Sequence, residues 1–234
     1  MRELHLFAGA GGGILGGMML GHEPVCAVEI DKYCRRVLQA RQDDGSLPPF
    51  PIYEDVRKFD GHAWRGLVDV ICGGFPCQPF SCAGKQLGTA DPRHLWPEMA
   101  RIIEEVRPRY VFAENVALGA FEEPWRDLRR LGYRVPPAIC VSASDVGAPH
   151  RRKRWWLLAA DTNSPRLEEW EGISSNTRQE LAATIGADWW ATEPNVGRVA
   201  HGVASRVDRL RSIGNGQVPL TAATAWRLLM EAHA

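Results

Sequence analysis

The first half of the chain alternates short apolar runs with longer amphipathic ones. "LHLF" (4–7), "PVCAVE" (24–29) and "VDVICGG" (68–74) are brief and mostly apolar, the mark of strands buried on both faces. "RYVFAENV" (109–116) has the same character and runs out into a polar loop. Between these runs the apolar period changes. "RHLWPEMARIIEEV" (93–106) spaces its apolar residues at three and four, which predicts a helix. "EEPWRDLRRLG" (122–132) predicts another, stopped by Gly132. A glycine loop precedes a helix expected around 13–20, and Asp31 stands where it can cap "KYCRRVLQAR". "RVPPAICVSAS" and "RRKRWWLLAA" read as two late strands.

Strand–helix alternation of this kind predicts an α/β fold with a doubly wound, mostly parallel sheet. Such sheets bind ligands at the carboxyl ends of their strands. The pattern holds over 1–160 and then stops. The stretch from Asp161 onward is rich in turn-formers and without clear period, so a small second region is expected at 161–212. In 213–234, "VPLTAATAWRLLMEAHA" predicts a helix that returns to the main domain.

Composition narrows the setting. With 234 residues, 45% hydrophobic and 24% charged, the chain has an ordinary globular make-up. No apolar run approaches the ~20 residues of a membrane span. "MRELHLFAGAGG" lacks the continuous apolar core of a signal peptide, so a cytoplasmic protein is expected. Six cysteines in a reducing compartment are expected as thiols. Cys72, Cys77 and Cys82 do not follow a zinc-ligand spacing, and no metal is expected. Formal net charge is zero, which excludes a uniformly basic nucleic-acid binder. The positive charge is nevertheless clustered, at "HRRKR" (150–154), at Arg198, Arg206, Arg209 and Arg211, and at Arg126, Arg129, Arg130 and Arg134. Local basic faces suit phosphate contact, although the 126–134 group reads as a solvated helix face.

Three places carry candidate chemistry. "FAGAGGGILGG" follows the first strand, residues 11–16 satisfy G-x-G-x-x-G, and Glu29 follows at the end of the second strand. That layout holds an adenosine, with glycine backbone near a helix N-terminus and a carboxylate on the ribose. It fits a nicotinamide or flavin dinucleotide and equally S-adenosyl-L-methionine. Asp55, in "YEDVRKF", is placed either to accept from an adenine amine or to cap a turn. "GGFPCQPFS" (73–81) sets Cys77 between two prolines, beyond the apolar strand and at the edge of the sheet where chemistry occurs. "ENV" brings Glu114 and Asn115 to the same edge. Strand alternation places Arg152 and Arg154 on one face and Arg151 and Lys153 on the other. A thiol, a carboxyl group and arginines suit covalent attack on an electrophilic ring.

Taken together these segments resemble the DNA cytosine-5 methyltransferase family. "FAGAGGG" resembles its cofactor loop, "GGFPCQPFS" its nucleophile loop and "ENV" its glutamate motif. "HRRKRWW" resembles its Q-x-R-x-R segment, with His150 in place of the usual Gln, and "GNGQVP" (214–219) its last cofactor motif. "DPRHLWPEMARII" resembles the helix between nucleophile and glutamate. The likeness covers about 4–160 and 195–232, in the family's order.

The resemblance implies a Rossmann-like S-adenosylmethionine-dependent methyltransferase fold and the roles that follow. Cys77 attacks C6 of an extruded cytosine, Glu114 contacts N3 and the exocyclic amine, and Arg154 binds O2, with Arg152 supporting the loop or a phosphate. Pro76, Gln78, Ser81, Asn115 and Arg93 line the base or its strand. The cofactor, S-adenosyl-L-methionine, falls to Phe7, Ala8, Gly9, Gly11, Gly12, Glu29, Ile30, Asp55, Val56, Gly74, Leu95, Asn215 and Gln217. The implied partner is double-stranded DNA, met by a monomer with no membrane association. The segment 161–212 is the place for target recognition; it is short, and Trp170, Trp189 and Trp190 within it are read as core in preference to DNA contacts. A tRNA cytosine-5 methyltransferase shares these motifs, but its loop reads P-P-C where this chain has F-P-C. An inactive DNA-binding relative would lack a catalytic residue, and none is missing. A dinucleotide oxidoreductase leaves Cys77, Glu114 and "GNGQVP" unexplained.

Overall fold

The computed structural model describes residues 1–76, 94–163 and 205–233. Cys77, Gln78, Ser81, Arg93, Trp170, Trp189, Trp190 and Arg198 therefore lie outside the described residues. The chain folds as β1 (Arg2–Leu6), α1 (Gly12–Met19), β2 (Glu23–Val28), α2 (Lys32–Asp43), β3 (Ile52–Tyr53), β4 (Val70–Gly74), α3 (Trp96–Val106) and β5 (Tyr110–Asn115). Then come α4 (Glu122–Arg130), β6 (Tyr133–Arg134), β7 (Ile139–Ser142), β8 (Lys153–Asp161), α5 (Arg206–Asn215) and α6 (Pro219–Glu231).

Among the described residues the strands form one eight-stranded sheet in the order β3-β2-β1-β4-β5-β8-β6, with β7 also on β8. β1 to β5 pair in parallel, and β8 runs antiparallel to β5. Trp155 pairs with both Asn115 and Cys140, and Ala160 with both Tyr110 and Arg134, so β6 and β7 share the outer edge of β8. The expected mostly parallel α/β sheet is what forms. The single strand expected over "RVPPAICVSAS" is instead two, β6 and β7. Pro136 and Pro137 fall between them, and proline cannot supply ladder donors.

Alternation along the central strands assigns each face. Leu4, Leu6, Ile71, Val111 and Ala113 pack with Trp96, Met99, Ile102, Ile103 and Val106 of α3 and Leu128 of α4. Val70, Cys72, Tyr110 and Phe112 pack with Ala222, Ala225, Trp226 and Leu229 of α6. α6 thus returns to the sheet, as its apolar sequence predicts. It lies against α1, where Gly16 leaves room: a Cβ there would stand 2.9 Å from the Cβ of Ala222 and from the carbonyl of Pro219. Asp31 caps α2 as expected, accepting from Tyr33 N at 2.8 Å and Cys34 N at 3.1 Å. α3 ends at Arg107, which takes a left-handed conformation (φ 55°). No helix among the described residues is long and apolar enough to cross a membrane.

Candidate functional site

The carboxyl ends of β1, β2, β4 and β5 meet along one edge of the sheet. β1 leads into a tight loop in which Phe7 (φ 56°), Gly9 (φ 55°) and Gly11 (φ 94°) are all left-handed. The Ala8 N–H donates to Val28 O at 3.2 Å, tying the loop to β2. Glu29, buried just past β2, finishes the arrangement. One carboxylate oxygen accepts from Gly9 N and the other from Asp31 N, both at 2.7 Å. Arg35 reaches back from α2 to donate to the carbonyls of Glu29 and Ile30. Glu29 therefore fixes the glycine loop relative to the start of α2.

Beside this carboxylate lies a cleft of about 360 Å³ lined by Ile30, Tyr53, Glu54, Asp55, Lys58 and Phe59. Ile30 is exposed there. Asp55 caps the short 3-10 turn Val56–Lys58, accepting from Arg57 N at 3.0 Å with an oxygen that also lies 3.6 Å from the Arg57 guanidinium. The turn-capping role is thus occupied, while the side chain still borders the cleft. Val56 is buried in the main core and turns away from the cleft. Phe7 and Leu95 pack at the margin of that core, and Ala8 against the cluster around Leu38. Asn215 is exposed at the end of α5.

Glu114 is the acidic group in the middle of the edge, on β5 and opposite Gly74 of β4. It is 7% exposed. Burial pushes its carboxyl above the usual carboxylate range; the Arg154 guanidinium, a hydrogen bond from Gln217 and the charge of Arg152 hold it back in part. Arg154 Nε stands 2.9 Å from Glu114 Oε1, an ion pair without hydrogen-bond alignment, and Oε1 has no aligned donor among the described residues. Gln217 Nε2 donates to Oε2 at 3.4 Å.

Arg152 behaves differently from Arg154. β8 begins at Lys153 and Arg152, just before it, has φ 28°, yet Arg152 and Arg154 are both half-buried and both act on Glu114, while Arg151 and Lys153 are exposed. The Arg152 guanidinium donates to Gly214 O at 2.8 Å and to Gly216 O. It fastens the loop after α5 to the start of β8. Asn115, next to Glu114, is 2% exposed. Its amide donates to Phe75 O at 3.1 Å and its oxygen accepts from Val116 N at 2.8 Å. Phe75 is itself buried against Trp96 and Phe121. The chain entering the Cys77 loop is thus anchored through Phe75, up to the half-buried Pro76.

The edge therefore collects a glycine loop with its carboxylate, an adjoining cleft and a buried glutamate with an arginine. Phe7, Gly9, Glu29, Asp55, Gly74, Glu114, Arg154 and Gln217 are brought to it. The Gln217–Glu114 contact, the Arg35 clamp and the use of Asn115 on backbone are additions that only the fold supplies. Left-handed glycines, a carboxylate at the second strand and an open cleft with an acid at its rim are the elements that an adenosine-bearing cofactor needs.

The family model for the C-5 cytosine-specific DNA methylase matches residues 1–199. The chain is 38% identical over 168 residues to the type II methyltransferase M.PspPI of Psychrobacter sp. (strain TA137), covering 68% of this chain and 39% of that protein. It is 33% identical over 192 residues to the type II methyltransferase M.NgoMIV of Neisseria gonorrhoeae, covering 79% and 58%. The chain thus spans between about two fifths and three fifths of the length of these relatives. Among solved structures, a prophage-encoded DNA modification methyltransferase from E. coli has a TM-score of 0.55 and 26% identity, over 69% of this chain and 47% of that one. The S. pombe Dnmt2 methyltransferase has a TM-score of 0.56 at 21% identity, over 86% and 58%, a likeness of fold.

Proposed function

The chain belongs to the C-5 cytosine-specific DNA methylase family, and from that premise we propose that it methylates C5 of cytosine in double-stranded DNA through a covalent Cys77 adduct. The observation that carries this reading is Glu114: a buried carboxyl with a raised pKa, beside Arg154, on the sheet edge that also holds the glycine loop. S-adenosyl-L-methionine supplies an electrophilic methyl group. The chain's own residues do the rest. Glu29 meets the ribose hydroxyls, Asp55 and Ile30 border the adenine, and the Gly9–Gly12 backbone admits the remainder.

The target cytosine leaves the stack, at a cost of a few kcal/mol. The Cys77 thiolate adds to C6. Glu114, kept protonated more readily than an exposed carboxyl, hydrogen-bonds the N3 edge and takes up the electron density that moves there. Arg154 holds the O2 side. C5 then takes the methyl group from the bound donor, whose sulfur keeps the electron pair of the broken sulfur–methyl bond and leaves as S-adenosyl-L-homocysteine. Loss of the C5 proton to solvent expels the Cys77 thiolate from C6 and restores the ring double bond. Asn115 positions the loop entrance through Phe75. Arg151 and Lys153, exposed at the mouth, offer charge to the phosphates. Residues 161–212 carry the reading of base sequence, and the protein acts as a monomer in the cytoplasm.

Bisulfite sequencing of DNA from cells expressing the protein tests activity and target together. A recurrent methylated context is expected, and its loss in Cys77→Ala. Tritiated methyl transfer to tRNA and not to DNA would overturn the DNA reading in favour of a tRNA substrate. Unchanged product in Cys77→Ala would overturn the covalent step.

A further inference from the structure

Gln217 occupies a space bordered by glycines of two separate elements, the start of α1 and the end of β4. A Cβ on Gly12 would stand 2.1 Å from the Gln217 carbonyl oxygen, and one on Gly13 2.3 Å from Gln217 Oε1. A Cβ on Gly74 would stand 3.1 Å from Gln217 Nε2 and 2.7 Å from Glu114 Oε2. Gly12 is held to glycine by the Gln217 backbone, and a side chain at Gly13 or Gly74 would displace the Gln217 amide or the Glu114 carboxyl from where they meet. The backbone around Gln217 is held as well. Arg152 clamps Gly214 and Gly216 on one side, and on the other Pro219 opens α6, which is packed on α1.

We propose that Gln217 is a positioning residue for Glu114, orienting its carboxyl from the cofactor side. The inference rests on Glu114 being the carboxyl that contacts the base. Glu114 is then gripped on both oxygens, Oε1 by Arg154 of β8 and Oε2 by Gln217, whose hydrogen bond is the aligned one that Glu114 receives among the described residues. The charged groups facing Glu114 among those residues are Arg154 and Arg152, both on the β8 side. Gln217 thus contributes what charge does not: a neutral donor from the opposite wall, whose placement depends on the glycine loop. This links an ordered cofactor loop to a correctly aimed Glu114. Reading Gln217 as a contact of the cofactor alone leaves the Gly74 space and the Glu114 hydrogen bond without a purpose.

The test uses Gln217→Leu and Gln217→Glu in the full chain, each checked for folding by thermal unfolding, with Gln217→Asn substituted should the leucine variant not fold. The Glu114 titration is read by carboxyl NMR on glutamate-labelled protein, with Glu114→Gln assigning the resonance. Loss of the donor is expected to move the Glu114 midpoint upward, and a second carboxylate to move it further. At saturating cofactor kcat is expected to fall about tenfold or more, as for a misplaced catalytic group, whatever the change in S-adenosyl-L-homocysteine affinity. An unmoved midpoint, or a change in cofactor affinity with kcat intact, overturns the proposal. Wild-type protein that methylates neither DNA nor RNA overturns the proposed function instead, and the NMR midpoint still decides whether Gln217 holds Glu114.

Discussion

Replacing Glu3 by glutamine removes a charge from the middle of the sheet while keeping the shape of the side chain. Glu3 lies on β1 and points to the α1–α6 face, 2% exposed. It accepts from His22 Nδ1 at 2.7 Å and lies 2.9 Å from His5 Nε2. Gly17 of α1 leaves it room, since a Cβ there would fall 1.9 Å from Glu3 Oε2. Burial alone pushes this carboxyl up; hydrogen bonds from His22 and His5 and attraction to both rings more than offset burial and bring it to about 2. Because the folded value lies below the ordinary one, the stabilisation is present above pH 4.5 and is lost as pH falls towards 2.

Glutamine stands in for the protonated acid. Linkage gives a loss in Glu3→Gln of about 3 kcal/mol near pH 7, shrinking to about 2 kcal/mol near pH 3.5. Urea denaturation of both proteins at the two pH values measures it. A loss under about 0.5 kcal/mol at neutral pH would mean the histidines do not hold the carboxylate. An equal loss at both values would trace the effect to packing and not to charge. Either result would refute the reasoning. The same experiment bears on the site, because Glu3 supports the α1 segment that carries the glycine loop.

Gly12→Ala forces a methyl group against the Gln217 carbonyl and is expected to cost about 1–3 kcal/mol and to weaken S-adenosyl-L-homocysteine binding about tenfold by calorimetry. Gly119→Ala, where a Cβ meets nothing within 4 Å, is the control and should leave both within error. Arg154→Gln leaves Glu114 buried with its main counter-charge gone. Since a raised folded pKa means stability lost as pH rises, its destabilisation should reach about 3 kcal/mol at pH 8 and be smaller at pH 5, by chemical denaturation. A larger loss at pH 5 would contradict the assignment of Arg154 as the partner of Glu114.

What could be read from residues alone follows the range of the forces involved. The Asp31 cap, the periods of α3 and α4 and the buried run of β5 depend on neighbours within a turn or a strand, and all were legible. So was the placing of Glu29 and Glu114 on one edge, because parallel strands bring their carboxyl ends together whatever fills the core. The break between β6 and β7 was written in Pro136 and Pro137, yet a run of apolar residues on either side concealed it. Arg152 keeps the side that alternation gives it, half-buried like Arg154 between the exposed Arg151 and Lys153, although it lies before the strand begins; its bonds to Gly214 and Gly216 are what the alternation could not show.

Contacts between distant segments follow another rule. Gln217 sits 103 residues from Glu114, and nothing in "GNGQVP" points to a carboxyl group. The signal lay in the glycines, whose abundance in "FAGAGGG" reads as loop flexibility until the fold shows which atoms fill each missing Cβ. In "RELH" a carboxylate and a histidine stand two apart in a strand otherwise buried, so both must face the same side and find partners there. His22 answers from beyond α1, and Cys72 from β4, where its thiol is pushed well up by burial and by Glu3. Polar residues at period two inside an apolar strand are therefore as informative about the layer above as the apolar ones, and here they mark the α1–α6 face that the glycine loop stands on.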